Sequence, residues 1–569
     1  MKQIYYLSLF LILSLLPGLV ISQVFIDMTT PNDFDVKGQN RGVAIADFNN
    51  DGWEDIYISS LSGPNLLYEN KGNFEFEEVG ERFGLDSSEP TYASLWFDMD
   101  NDGDQDLFLV NFFKPNILFR NEGDSFTDVS KAYGIESSGN PKSILTIDYD
   151  QDGYLDVYIA QSLLSNILWR NEGGKGFRDV TAEARIRDIG RSLGAVALDY
   201  DLDGDQDLFQ TRDGIDKNLL FQNNGDGSFS EISAELALDF DGLGMGADIA
   251  DLNGDLYPDI YLTNLFENKL YISQPGQAYL EQSERAGVDD IGMGWSTFFF
   301  DCNNDGRQDI YLANDSRFGV NGISPIPNRM YVNQGDIQFS SGSDFGAEQN
   351  VLASFGAAAA DFDQDGRLDI VISNNGRLDG NQLFRNGSPA ANYIAFECRG
   401  FRSNRDAIGT RVVLFAGDKL LTDFVRAGSG FVSQGSKRLH FGLGNTAKVD
   451  SIQIFWPSGI KQVVRNPEVN KLNRIEEKIA TPIDGISEKS IYLFPNPLEV
   501  GSQLSLMTNF GESIQAVGLY TLEGKEFPLI AEMRGSEFLL ELPANLTPGI
   551  YLIKLLSGDR VISEKIFLK

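Results

Sequence analysis

Histidine occurs once in this chain, at His440, and cysteine twice, at Cys302 and Cys398. One imidazole cannot build a His-ligated zinc site, and a Ser/His/Asp triad or a Cys/His pair would have to form around His440 alone, which reads better as a strand residue beside a Gly turn. Two thiols cannot staple a chain of 569 residues. Basic residues are also scarce: 46 Lys and Arg against 83 Asp and Glu leave a formal net charge of −37. That balance argues against nucleic acid, whose phosphates need Lys and Arg, and makes cations the natural partners. Long apolar runs are missing after the first twenty or so residues, so no later segment is suited to crossing a bilayer.

What stands at the N-terminus is an address. Lys2 precedes an apolar run from Ile4 to Val20, and "VISQ" places Val20 and Ser22 where signal peptidase requires small residues, with cleavage before Gln23. Residues 1–22 are therefore expected to be a signal peptide, and the mature protein is expected to be exported without a transmembrane segment. The remaining length exceeds one hydrophobic core, so two to four domains are expected.

An acidic motif recurs seven times: "DFNNDGWED", "DMDNDGDQD", "DYDQDGYLD", "DYDLDGDQD", "DLNGDLYPD", "DCNNDGRQD" and "DFDQDGRLD". Each copy is led in by an apolar run rich in small residues ("GVAIA", "LGAVAL", "FGAAAA") and led out by an apolar strand ("IYIS", "LFLV", "VYIA"). A third strand ("NLLYEN", "NILFRN") and, after a Gly turn, a fourth ("FEFEEV", "FTDVS") complete the unit. Four short strands per repeat, seven times over, describe an all-β seven-bladed β-propeller across residues 23–390. The last repeat lacks its fourth strand. "FIDMT", ahead of the first motif, supplies a copy that would close the ring. Cys302 occupies the slot held elsewhere by Phe48, Met99, Tyr149, Tyr200, Leu252 and Phe362, so free, packed thiols are expected.

Side chains at positions 1, 3, 5 and 9 of D-x-[DN]-x-D-G-x-x-D converge when the backbone curls. The Gly at position 6 permits the sharp turn, and hard oxygen ligands at this spacing suit Ca²⁺. The expected ligands are Asp47, Asn49, Asp51 and Asp55; Asp98, Asp100, Asp102 and Asp106; Asp148, Asp150, Asp152 and Asp156; and Asp199, Asp201, Asp203 and Asp207. They continue with Asp251, Asn253, Asp255 and Asp259; Asp301, Asn303, Asp305 and Asp309; and Asp361, Asp363, Asp365 and Asp369, for up to seven ions. Solvated Asx-rich turns would account for one such loop but not for seven in register. The fifth loop carries Leu256 in place of the Gly.

These loops, with their "FGAAAADFDQDG" and "LGAVALDYDLDG" lead-ins, resemble FG-GAP or VCBS-type repeats, the calcium-binding propeller blades also found in integrin α-subunits. Further on, "NRDAIGTRVVLF", "GSGFVSQGSKRLHFGLG" and "VDSIQIFWPSG" resemble the ASPIC/UnbV domain that follows such repeats in the cartilage acidic protein family. A small β-rich, sandwich-like domain is expected over residues 391–478. A polar linker, 479–490, leads to a second such domain over 491–569. There Pro495, Asn496, Pro497, Gly549, Tyr551 and Lys569 resemble the type A C-terminal sorting domain read by the type IX secretion system of Bacteroidota, which implies export by that machinery to the cell surface or the medium.

Propellers host both binding and catalysis, so two functions remain open. One is a calcium-binding adhesion or recognition module for an extracellular glycan or protein. The other is a calcium-dependent, lyase-like polysaccharide-degrading enzyme on the same scaffold. The lack of histidine and the regularity of the loops favour the first, with no catalytic residue assigned.

Overall fold

The computed structural model describes residues 24–135, 137–318, 325–341, 345–348, 351–417 and 419–478, together with most of the strands between 491 and 568. The expected signal peptide and linker, residues 1–22 and 479–490, together with Pro495 to Pro497 and Lys569, lie outside the described residues. Within the first part, seven antiparallel sheets of four strands succeed one another. In the first blade the strands are Asn40–Ala46, Asp55–Ser60, Leu66–Asn70 and Phe76–Glu78. The innermost strand of each blade packs on that of the next, and the seventh packs on the first, so the ring is closed.

Small residues recur in the innermost strands of blades one, four, five and seven, where seven strands crowd one axis. Ser354–Ala360, "SFGAAAA", is almost wholly buried. Between blades, larger side chains fill the wedge: Trp96 lies over Phe48 and edge-on to Tyr57, joining blades one and two. Closure comes from the N-terminal strand Phe25–Asp27, which pairs antiparallel with the third strand of blade seven in the register Phe25 to Asn386 and Asp27 to Phe384. Blades five and six depart from the pattern. The strand Asp259–Glu267 runs on past its own sheet and pairs with Ile291–Phe300 of the next blade. Cys302 and Cys398 are both free and buried.

Residues 392–476 form two further sheets. One has three strands, Leu439–Gly444, Asn392–Arg399 and Leu472–Glu476; the other has four, built on Arg411–Ala416. These sheets do not form a body apart from the propeller: the chain up to Lys478 is one compact unit. The reason is a loop, residues 427–436, that enters the central channel. There Ser433 and Gln434 pair in parallel with the innermost strand of blade one. The Ala247 amide donates to the Gly430 carbonyl (3.1 Å), and the Thr146 amide donates to that of Ala427 (3.2 Å). The side chain of Gln434 bonds both the amide and the carbonyl of Trp96, at 2.8 Å each. Gly430 has φ of +63°, and a Cβ there would meet the Thr297 carbonyl at 2.5 Å, so the plug needs glycine at that point.

The C-terminal unit, described by itself, holds two four-stranded sheets around Leu504, Leu519, Leu540, Tyr551 and Ile553.

Candidate metal centres

Each acidic loop joins the first and second strands of its blade, so all seven emerge on one face of the ring. The carboxylate at position 1 fixes the curl. In loop one, Asp47 accepts the amides of Asp51 (2.9 Å) and Gly52 (2.8 Å), and Asp98, Asp301 and Asp361 do the same in theirs. In loop five Asp251 accepts the amides of Asp255 and Leu256. Leu256 adopts φ of +76°, as Gly does in the other loops, a conformation that costs a non-glycine residue roughly 1–2 kcal/mol. Burial of its side chain offsets that cost, so the fifth loop keeps the shared curl despite its substitution.

Position 9 carries a role that spacing alone does not state. Asp55 accepts the Phe48 amide with one oxygen (3.1 Å) and the Asn70 amide with the other (2.8 Å). The same double clamp recurs at Asp106, Asp156, Asp207, Asp259, Asp309 and Asp369. Every one of these carboxylates is almost fully buried. Their first task is to tie the loop to the third strand, and any ion contact must use a remaining lone pair.

Four loops bring three carboxylates within 4.8 Å of one another: Asp98, Asp100 and Asp106; Asp148, Asp150 and Asp156; Asp199, Asp201 and Asp203; and Asp361, Asp363 and Asp365. Loops one, five and six, which carry Asn49, Asn253 and Asn303 at position 3, form no such group. Their amides accept from the backbone at position 5 instead, as Asn49 does from Asp51 at 3.0 Å. In the four carboxylate loops, the Oδ1 atoms of Asp100, Asp148, Asp150, Asp199, Asp201 and Asp363 are buried without a hydrogen-bond partner. Leaving such atoms bare costs about 1–3 kcal/mol each, more when charged. Charge at position 1 of these loops is also disfavoured. Burial pushes Asp98, Asp148, Asp199 and Asp361 up to about 7, and neighbouring carboxylates add to the shift. A hard divalent cation fits this donor set, because it supplies the partner that these oxygens lack.

Two features escaped the sequence reading although their signal was present. Position 4 is left-handed in every loop and holds an amide in five of them. Asn101 reaches the Gly153 carbonyl (2.9 Å), Gln151 that of Gly204 (2.9 Å), Asn304 that of Gly366 (2.6 Å) and Gln364 that of Gly52 (2.9 Å), so neighbouring loops are tied side to side. The Asn ending the third strand rivets blades: Asn121 donates to the Phe48 carbonyl (2.8 Å) and Asn171 to that of Met99 (2.7 Å), each one blade back.

The two-sheet domain sits on this same face. Arg405 donates its amide to Asn101 (2.8 Å), and Lys419 donates to the Asp305 carbonyl (2.9 Å). Arg438 lies among Asp47, Glu54 and Glu397, at 3.7–3.9 Å. His440 stacks on Tyr393 and bonds Asn304 through Nε2 (2.7 Å), and burial holds its pKa down near 4. It is a neutral packing residue.

A family model described as an FG-GAP-like repeat matches residues 47–109, 98–159, 148–210, 199–262 and 301–372. One described as ASPIC and UnbV matches residues 400–482. Human cartilage acidic protein 1 is 26% identical over 364 residues, which is 58% of this chain and 50% of that protein. The Xenopus tropicalis protein of the same name is 25% identical over 326 residues, 51% of this chain and 45% of that protein. The chain thus spans about half the length of the curated relatives it matches. Among solved structures, BBS1N in its complex with ARL6DN aligns with a TM-score of 0.42 at 7% identity, over 65% of this chain and 99% of that one. The fold assignment rests instead on the strand pairing above. Matched by the repeat model over just over half of its length, and carrying an ASPIC and UnbV domain directly behind, this chain belongs to the FG-GAP-like repeat proteins.

Proposed function

We propose that this is an exported, calcium-stabilised recognition module that binds an extracellular protein or glycan. The observation carrying the calcium part is the set of buried, unpartnered carboxylate oxygens repeated in loops two, three, four and seven. Loops one, five and six would bind through two or three carboxylates, an amide oxygen and a backbone carbonyl, more weakly. The recognition part is supported by the family: FG-GAP-like repeats joined to an ASPIC and UnbV domain suggest a propeller built for recognition or adhesion, and neither is an enzyme family. Among the described residues no helix is long and apolar enough to cross a membrane. Export rests on the N-terminal apolar run and on the likeness of residues 491–569 to a sorting domain.

One acid and base cluster between the plug and the blades is spent on pairing. Arg426 lies 3.3 Å from Asp423 and 3.6 Å from Asp248, enclosed between the plug and blades five and six. The test is a binding screen against surface proteins and glycans with and without Ca²⁺, every hit being checked for cleavage. Calcium-dependent binding without turnover supports the module; turnover of a polysaccharide transfers the function to the lyase-like alternative.

A further inference from the structure

The face of the propeller opposite the acidic loops carries most of the apolar surface. Turns between second and third strands, and the segments that feed each innermost strand, emerge there. Nine of the twelve large, exposed apolar side chains among the described residues lie in these segments. Phe113, Leu163, Ile189, Ile215, Phe266 and Leu378 come from blades two, three, four, five and seven and are 43–87% exposed. A rim of this kind marks an interaction surface, because a monomer gains nothing by holding such side chains in water.

Inside that rim lies an aromatic mouth with uncompensated positive charge. Arg41 stands 4.0 Å over the Phe355 ring and 5.0 Å from that of Tyr92, and Lys142 stands 4.3 Å from Tyr92 and 5.1 Å from Phe112. Trp295 packs at 4.4 Å on Phe355 and at 4.9 Å on Phe431, the tip of the plug, which forms the floor. Among the described residues no carboxylate lies within ion-pair distance of Arg41 or Lys142. The nearby Asp315 is paired with Arg317 at 2.6 Å. Arg41 Nε and Trp295 Nε1 are buried without an acceptor. Burial and the neighbouring Arg41 also lower Lys142 to about 8. A chain of net charge −37 that keeps two bare cations and two bare donors at one point has built a site for an acceptor of negative charge.

Resting on the recognition reading above, we propose that this mouth receives an acidic side chain of a partner protein, seated on Arg41, Lys142 and Trp295, while the partner's apolar surface covers the rim. The aliphatic rim favours a protein over a saccharide, since Leu and Ile side chains gain by excluding water against another apolar surface.

The test uses the full chain in Ca²⁺ and three probes carrying a neutral dye, followed by fluorescence anisotropy: a hexapeptide alternating Glu and Leu, its Gln and Leu counterpart, and an oligogalacturonate. The Glu peptide should bind at least about tenfold tighter than the Gln peptide, the ratio expected for one charge-assisted contact. Lys142→Gln should remove most of that preference with calcium-dependent melting unchanged, and Arg41→Gln should act likewise. Equal binding of the two peptides, an effect of neither variant, or tighter binding of the oligogalacturonate overturns the proposal. A partner found on another face would overturn it while leaving the recognition reading intact, whereas loss of calcium dependence would sink the calcium part of that reading alone.

Discussion

Replacing Asp100 with asparagine trims one charge from a loop in which Asp98, Asp100 and Asp106 lie within 4.8 Å of one another. The effect should change sign with the ion. Without calcium, two carboxylates at that separation repel by about 3.5 kcal/mol at an effective dielectric near 20, and partial exposure with salt screening reduces this to about 1 kcal/mol. With calcium at about 2 mM and a site Kd of about 0.1 mM, occupancy stabilises the fold by about 1.8 kcal/mol, which a crippled site forfeits. The propeller unit has about 450 described residues, so at about 2.1 cal/mol/K per residue its unfolding entropy is close to 0.95 kcal/mol/K. In calcium the variant forfeits the roughly 1.8 kcal/mol but keeps the roughly 1 kcal/mol of relieved repulsion, so Asp100→Asn should lower Tm by about 1 °C in calcium and raise it by about 1 °C in EGTA. Asn49, Asn253 and Asn303 occupy the same position in other loops, so the substitution fits the backbone. Calorimetry in both buffers reads the result. A shift of the same sign in both would refute the idea that these carboxylates are held together by a cation.

Acidity should act oppositely on the two states. Asp148, Asp199 and Asp361 are pushed up to about 7 by burial against an unfolded value near 3.9, so the ion-free fold binds more protons than the unfolded chain across that interval and loses stability as pH rises through it. In EGTA the protein should melt higher at pH 5.5 than at pH 7.5, and in calcium, which competes with those protons, the order should reverse; a flat EGTA profile contradicts the assignment. Deleting residues 24–30 removes the pairing of Phe25 with Asn386 and should lower Tm or cause aggregation through the bared edge of blade seven. Parental melting would mean that the blade holds without it. Gly430→Val places a side chain against the Thr297 carbonyl and Ser296 Oγ, and thermal unfolding should reveal a loss of about 2–4 kcal/mol. An unaltered curve would mean that the plug is not packed as described.

The propeller was legible because its signals are local and repeated. Strand alternation, turn glycines and the "FIDMT" strand sit at fixed offsets, and the burial of Cys302 follows from its slot in the repeat. The ligand set was legible only by composition. Spacing alone gives Asp100 and Asp106 the same standing, yet one oxygen of Asp100 is bare while both of Asp106 accept backbone amides. What separates them is the third strand, fifteen residues on, whose Asn121 amide claims Asp106. The plug was illegible for a related reason. "GSGFVSQGS" reads as a Gly-rich turn, and nothing local to it states that Phe431 meets Trp295 or that Gln434 meets Trp96, each more than a hundred residues away.

The plug also decides which face is free. Because residues 427–436 enter the channel from the acidic side, the two-sheet domain is drawn onto the loops, where Arg405, Lys419, Arg438 and His440 meet them. The loops it touches are thereby shielded, and an ion bound there is suited to stiffening the joint rather than meeting a ligand. The opposite face stays open, and the tip of the plug, Phe431, completes its floor. The long connection between the second and third strands of blade six, residues 315–328, starts on that open face with Asp315 and Arg317, next to Arg41. Of that connection, residues 319–324 lie outside the described part. Arg317 occupies Asp315, the carboxylate whose charge reaches Arg41, and so leaves Arg41 and Lys142 without an ion pair among the described residues.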